Sequence, residues 1–233
     1  MDYEVLMNGN VRIGQYAPDF TATSTMGEIK LEDYKGKWLV LFSHPGDFTP
    51  VCTTEIIAFA KVYTYFKQLN TELLGLSVDS NASHLAWVFD IYCRTGIRIP
   101  FPIIADRNGA IARKYGMISN DVSNTETVRN VYIIDGNGII RTILIYPMNV
   151  GRFIPEIIRI VQALQMADCE TAATPANWIV NQPIIQQIPK TFKALEERNN
   201  QIQENNNGMS WYLSFKEPSE KCKNDVDKCE KNL

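Results

Sequence analysis

The residues that could do chemistry are concentrated around Cys52, in the stretch SHPGDFTPVCTTE that spans residues 43–55. The preceding run, residues 38–42, is apolar enough to be a buried strand, and apolar residues after Cys52 recur at helical spacing. Pro50 suits the first turn of a helix, where its missing N–H costs no hydrogen bond. Cys52 is therefore predicted in that first turn, where free N–H groups and the helix dipole favour a thiolate. This placement predicts a nucleophilic sulfur.

Two plainer interpretations of the same stretch stay open. Most lone intracellular cysteines are small buried hydrophobic residues, although Cys52 is flanked by Pro, Thr and Val at the start of a helix rather than by the interior of an apolar element. Thr53 or Thr54 could cap the helix, with Glu55 in its first turn. The capping interpretation is compatible with a reactive Cys52.

The spacing Pro45-x-x-x-Thr49-x-x-Cys52 resembles the peroxidatic motif of the peroxiredoxins. The longer string through Glu55 resembles their one-cysteine (Prx6) subfamily. The resemblance covers nearly the whole chain, through residues 85–87, 102–106, 128–135 and 146–152 to ATPANW at 173–178. It implies a thiol peroxidase, in which the cysteine thiolate attacks a peroxide oxygen and becomes a sulfenic acid. Hydrogen peroxide and small organic hydroperoxides are the substrates it implies.

The resemblance also implies roles for residues near Cys52. Thr49 is similar to the residue whose hydroxyl contacts the peroxide, and Pro45 to the one that shields the thiolate from water. Arg129 matches the arginine that keeps the cysteine anionic and binds the substrate, which a permanently charged guanidinium can do. Three further residues are expected in the surrounding shell: His44, Glu55 and Arg152.

These assignments have ordinary alternatives. Arg129 could be a solvated charge at the end of a strand, and Arg152 a surface charge at the start of a helix. His44 could be a packed, hydrogen-bonded residue rather than a base. His84 resembles a helix-start residue common in the family and is assigned no chemistry.

The other cysteines are Cys93, Cys169, Cys222 and Cys229, and none forms a C-x-x-C pair. Cys93 and Cys169 lie near the ends of predicted helices and are expected to be structural. Cys222 and Cys229 lie in a charged tail. They could bind zinc, but no histidine is near them, so no metal and no cofactor is expected.

Several groups could reduce the sulfenic acid that forms on Cys52. Archaeal relatives carry tail cysteines on each side of an aromatic motif, where this chain has Gly208 and Ser214. Cys222 and Cys229 are then candidate resolving residues, and their polar tail is expected to be mobile and accessible. We predict a disulfide from Cys52 to one of them in the partner subunit, with Cys229 slightly favoured. The alternatives are reduction by an external thiol and a redox-regulated, chaperone-like ring.

The order of elements predicts an α/β fold. Strands are predicted at 38–43, 72–78, 101–105, 129–134 and 139–146, and helices at 52–68, 83–94, 110–115 and 153–166. The turn Asp135-Gly136-Asn137-Gly138 predicts a hairpin between the last two strands. The resemblance makes this a thioredoxin-like fold with a mixed central sheet at residues 1–167, followed by a C-terminal extension at 168–233. In that extension we predict a strand at 184–188, a helix at 191–198 and a loop at 199–207.

The composition of the chain limits the kinds of molecule that it is expected to bind. The 233-residue chain has a net charge of −3 and 45% hydrophobic residues, without the basic surface that nucleic-acid binding requires. It has no apolar run of 18 residues and no signal peptide, so we expect no membrane association and a cytoplasmic location. The resemblance implies a thioredoxin-like or small-thiol reductant. It also implies a homodimer, with strand 139–146 as the candidate edge and residues 211–215 docking on the partner, that assembles into a decamer.

Overall fold

In the computed structural model, which describes residues 11–227, a seven-stranded mixed sheet organises the first part of the chain. The strands follow the spatial order β2-β1-β5-β4-β3-β6-β7. They are β1 (Thr21–Ser24), β2 (Gly27–Lys30), β3 (Trp38–Ser43), β4 (Thr71–Ser77), β5 (Ile103–Ala105), β6 (Arg129–Ile134) and β7 (Ile140–Tyr146). The five strands predicted from the sequence are confirmed. The β1–β2 hairpin was missed, because four-residue strands with mixed polar residues carry no clear alternation.

Strand β3 lies in the middle of the sheet, parallel to β4 and antiparallel to β6. Residues 39–43 are all buried. A continuous apolar strand of this kind is typical of a sheet covered on both faces. The chain leaves β3 at His44, so the segment carrying Cys52 starts from the interior of this sheet.

Four helices accompany this sheet: α1 (Pro50–Lys61), α2 (Tyr63–Gln68), α3 (Asn81–Thr95) and α4 (Ala110–Lys114). The sequence predicted one helix over 52–68, but the chain breaks it at Val62. There the Val62 amide donates to the Phe59 carbonyl, three residues back, which tightens the turn. The helices that accompany this sheet otherwise lie where the pattern of apolar residues placed them.

The chain divides by internal contacts into two compact units, between Ile154 and Pro155. The domain division at residues 167 and 168 stays a prediction. The second unit contains helix α5 (Ile154–Glu170) from its second residue onward, a three-stranded sheet and two further helices. Its other elements are β8 (Ile184–Ile185), α6 (Phe192–Asn205), β9 (Gly208–Ser210), β10 (Leu213–Lys216) and α7 (Glu220–Val226). No helix of the described part is both long and apolar enough to span a membrane.

Two predictions for the second unit were wrong. Residues 199–205 belong to α6 rather than to a loop, because Thr191 caps its start and Asn206 ends it in the left-handed conformation (φ 49°). Cys222 is not in a mobile polar tail. It lies on α7, is 3% exposed and forms a disulfide with Cys169 of α5.

Candidate active site

Cys52 lies in the first turn of α1, as predicted. Thr49 is the N-cap with extended backbone, and Pro50 is the first helical residue. The Thr49 hydroxyl donates to the Gly46 carbonyl at 2.8 Å and makes no cap bond. The Thr53 hydroxyl donates to the Thr49 carbonyl, so the alternative in which Thr53 caps the helix is wrong. The Cys52 side chain is fully buried.

Arg129, the first residue of β6, makes direct contact with the sulfur. Its Nη1 lies 3.2 Å from Cys52 Sγ and 2.7 Å from Glu55 Oε2. Nε and Nη2 donate to the Met148 carbonyl at 2.9 and 2.5 Å, which fixes the plane of the guanidinium. Arg129 is 2% exposed, so the interpretation as a solvated strand-end charge does not hold. The contact places a fixed positive charge beside the sulfur.

Arg152 lies behind this pair and is also buried. Its Nε and Nη2 donate to the two oxygens of Glu55 at 2.9 and 2.7 Å, and its Nη1 donates to the Ser43 and Asn130 carbonyls. Burial raises the pKa of Glu55, but the charge and hydrogen bonds of Arg152 outweigh it and hold that pKa below its usual range. Glu55 is therefore an anion between two cations. One positive charge remains in excess beside the sulfur.

His44 is buried at the end of β3, and its contacts fit a packed, hydrogen-bonded residue. Its ring lies 5.2 Å from that of Trp87, and Nε2 lies 3.1 Å from Asp47 Oδ1. The Thr127 hydroxyl donates to its carbonyl. Burial lowers the pKa of His44 against the raising effect of Asp47, so the ring is neutral. Pro45, the next residue, is buried as well.

Asp47 and His84 belong to the same neighbourhood; the sequence analysis assigned His84 no chemistry and did not consider Asp47. His84 Nδ1 lies 2.9 Å from Asp47 Oδ2, and its Nε2 donates to the Ile104 carbonyl. They are 37 residues apart, so no local motif joins them. The signal that could have found them is that the chain has two histidines, His44 and His84, and both are buried at this carboxylate.

The donor set of His44, Asp47 and His84 could in principle hold a metal ion. One ligand atom from each lies within 4.8 Å of the other two. Two imidazoles and a carboxylate suit several transition metals. However, a metal would have to replace the hydrogen bonds that already join both rings to Asp47. We therefore interpret the cluster as a hydrogen-bonded network.

The structure describes one of the two candidate resolving cysteines, Cys222, but not the other. Cys222 is paired with Cys169 at a Cα–Cα distance of 6.0 Å, so it is not a free thiol. Cys229 lies outside the described residues. Cys93, expected to be structural, is free and exposed on α3.

Comparison with known proteins shows the family of the chain. Residues 13–143 match the model of the AhpC/TSA family. A relative named peroxiredoxin 2 from Caldanaerobacter subterraneus subsp. tengcongensis is 56% identical over 205 residues, covering 88% of this chain and 92% of the relative. A peroxiredoxin of Aquifex aeolicus is 50% identical over 216 residues, covering 88% and 96%. The chain belongs to the peroxiredoxins.

Solved structures give the same result. The yeast mitochondrial 1-Cys peroxiredoxin matches with a TM-score of 0.78 and 37% identity, covering 89% of this chain and 99% of that chain. Peroxiredoxin 6 of Arenicola marina matches with a TM-score of 0.79 and 32% identity, covering 90% and 100%. The predicted thioredoxin-like α/β fold with a mixed sheet is confirmed. The protein is a peroxidase of the peroxiredoxin family.

Proposed function

We propose that this peroxiredoxin reduces hydrogen peroxide and small organic hydroperoxides through a sulfenic acid on Cys52. The observation that carries the proposal is the 3.2 Å contact between Arg129 Nη1 and Cys52 Sγ in the first turn of α1. The sulfur attacks the terminal peroxide oxygen, the O–O bond breaks and the S–O bond forms. With one proton taken up by the leaving oxygen, the products are the sulfenic acid and water or an alcohol.

The roles of the surrounding residues follow from their positions. Arg129 stabilises the thiolate and donates to a peroxide oxygen as negative charge develops on it. Thr49 Oγ1 already donates to Gly46, so its lone pairs are left to accept a peroxide O–H. Pro45, which is buried and has no N–H, shields the thiolate from water. Glu55 and Arg152 hold Arg129 in place.

For the resolving step we propose attack by Cys229 of the partner subunit, with an external thiol as the alternative. Cys222 could take this role only after reduction of its disulfide with Cys169. Because Cys52 is fully buried, its sulfur must first become exposed before a second cysteine can reach it. The structural study of the yeast relative describes thiol resolution through glutathione and thioredoxin systems, which supports a thioredoxin-like or small-thiol reductant here.

The assembly and location are also part of this proposal. We propose a homodimer joined along β7, which lies at one end of the sheet, and a decamer built from such dimers. The aromatic segment 211–215 would dock on the partner subunit. For location we propose the reducing cytoplasm, which fits the free thiols of Cys52 and Cys93, whereas the Cys169–Cys222 disulfide would have to resist reduction there.

The proposal is tested by single-turnover oxidation of the reduced chain, followed by mass spectrometry under non-reducing conditions. Wild type should consume one peroxide per chain and carry a sulfenic acid or a disulfide at Cys52. Cys52→Ser should lose this burst, whereas Cys93→Ser should keep it. A full burst in Cys52→Ser would exclude Cys52 as the reacting residue.

A further inference from the structure

The disulfide of the second unit joins an exposed residue to a buried one. Cys169, in the last turn of α5, is exposed, whereas Cys222 of α7 is 3% exposed. A thiolate opens a disulfide by attacking one of its two sulfurs, and access decides which sulfur it reaches. A thiol from solution therefore attacks Cys169. The incoming group is then bonded to Cys169, and Cys222 leaves as the thiolate.

Glu170 holds the beginning of α7 against the end of α5. Its Oε1 accepts the backbone N–H of Ser219, the N-cap of α7, and its Oε2 accepts Lys216 Nζ, both at 2.6 Å. The hydrogen bond from Lys216 lowers the pKa of Glu170 to about 2, so this carboxylate is an anion near neutral pH. The N-cap of α7 is thus attached to the residue that follows Cys169, and Cys222 lies three residues beyond that cap.

The end of α7 is attached to α5 as well. Gln162 of α5 donates to the Val226 carbonyl at 2.9 Å, and the Val226 side chain is 1% exposed. These contacts, like those of Glu170, do not involve either sulfur. Opening the S–S bond should therefore leave Cys222 opposite Cys169, near the Cα–Cα distance of 6.0 Å that the bond spans.

A thiolate held beside a mixed disulfide re-forms the original bond readily. The reaction is intramolecular, and even a short flexible linker gives an effective concentration on the order of millimolar. A monothiol such as glutathione is then expelled from Cys169 by Cys222, and the disulfide returns. A dithiol avoids this return, because its second thiol attacks the mixed disulfide and leaves Cys169 as a thiol.

We propose that Cys169 and Cys222 form a thiol–disulfide exchange site that dithiols open and monothiols do not. In the complete reaction the S–S bond of the protein breaks and an S–S bond forms within the dithiol, so the protein gains two electrons. The two thiol protons of the reductant pass to Cys169 and Cys222. The freed Cys222 becomes available for the resolving step, and this use rests on the proposed function of Cys52. Of the two reductant classes proposed above, the site selects the thioredoxin-like dithiol.

The exchange is tested on the full chain, purified without reductant and mixed with either glutathione or dithiothreitol. After a quench with N-ethylmaleimide, peptide mass spectrometry reads the state of each cysteine. Dithiothreitol should leave Cys169 and Cys222 alkylated, whereas glutathione should leave most chains with the disulfide and the few adducts on Cys169. Adducts mainly on Cys222, or a stable adduct on most chains, would overturn the proposal. A disulfide that dithiothreitol does not open in the folded protein would do the same.

Substitution of Glu170 tests the return of Cys222. Glu170→Ala removes the acceptor of Ser219 and Lys216 and should raise the fraction of glutathione adduct about tenfold, the usual effect of losing one hydrogen bond to a charged group. Glu170→Gln keeps an oxygen for the Ser219 N–H and should fall between. The control is Glu197→Ala, which removes an exposed carboxylate of α6 paired with Lys193 and should behave as wild type. An adduct fraction in Glu170→Ala equal to that of wild type would contradict the return.

The exchange and the peroxidase reaction are measured separately, so their failures are distinguishable. Exchange is read at Cys169 and Cys222 without peroxide, whereas the proposed function is read from the oxidation burst of Cys52. Normal exchange without a burst would remove the use of Cys222 in resolution and leave the exchange site in place. A normal burst with a disulfide that no thiol opens would overturn the exchange site alone.

Discussion

At the scale of single residues, the charged groups nearest to the Cys52 sulfur are Arg129, Arg152 and Glu55, and hydrogen bonds fix the position of each. Glu55 accepts hydrogen bonds from Arg129 and from Arg152, so the two guanidinium groups share one anion. The Met148 carbonyl holds the remaining donors of Arg129. A preorganised cation of this kind needs no reorganisation when negative charge develops in the transition state.

Replacement of Arg129 tests this account. Arg129→Ala should slow peroxide oxidation of Cys52 by about 10²–10³-fold, the usual loss for one preorganised donor. Arg129→Lys should recover part of the rate only, because an ammonium cannot contact Sγ, Glu55 and the Met148 carbonyl together. Stopped-flow rates and the ultraviolet titration of the thiolate measure both effects. Loss of less than threefold in Arg129→Ala, with an unchanged thiolate titration, would contradict the account.

At the scale of elements, the sequence predicted those parts that are marked by a local sequence pattern. Strand β3 and the start of α1 were found because a continuous apolar run and a proline mark them. The break at Val62, the end of α6 and the β1–β2 hairpin were missed, since turn geometry and strand pairing decide them. The same limit applies to the site. Pro45, Thr49, Cys52 and Arg129 carry a motif, whereas Asp47 and His84 meet through tertiary contacts alone.

The Cys169–Cys222 disulfide joins α5 to α7 across 53 residues, and we expect it to stabilise the second unit. Closing a loop of that length restricts the unfolded chain, which typically stabilises a protein by about 2–4 kcal/mol. Cys222→Ser should therefore lower the free energy of unfolding of the second unit by about that amount. Denaturant unfolding followed by the fluorescence of the buried Trp178 measures it.

Cys93→Ser is the matched control for that measurement, because Cys93 is a free, exposed cysteine of the first unit. It should leave the unfolding curve unchanged. Added reductant should move wild type to the curve of Cys222→Ser. Unfolding of wild type that does not respond to reductant would show that this disulfide contributes no stability.

At the scale of the whole molecule, β7 is the strand through which we expect one subunit to contact another. It lies at one end of the sheet and pairs with β6. Its first residue, Ile140, exchanges backbone hydrogen bonds with Gly14 and Gln15. Residues 142–146 have no second strand beside them in the described part of the chain. An apolar edge of this kind pairs readily with another edge, and Ile145 is 67% exposed on it.

The last prediction is that this edge carries the dimer. Two copies of β7 running antiparallel would continue the sheet from one subunit into the next, in a symmetric contact. Ile145→Lys puts a charge on the strand, a common natural means of preventing edge pairing, and should shift the protein towards monomer. Met26→Lys is the matched control, since Met26 is 54% exposed in the turn between β1 and β2, at the other end of the sheet. Sedimentation velocity at micromolar concentration should show wild type and Met26→Lys as dimers or larger assemblies. A monomeric wild type, or an Ile145→Lys variant that sediments like wild type, would rule out dimerisation along β7.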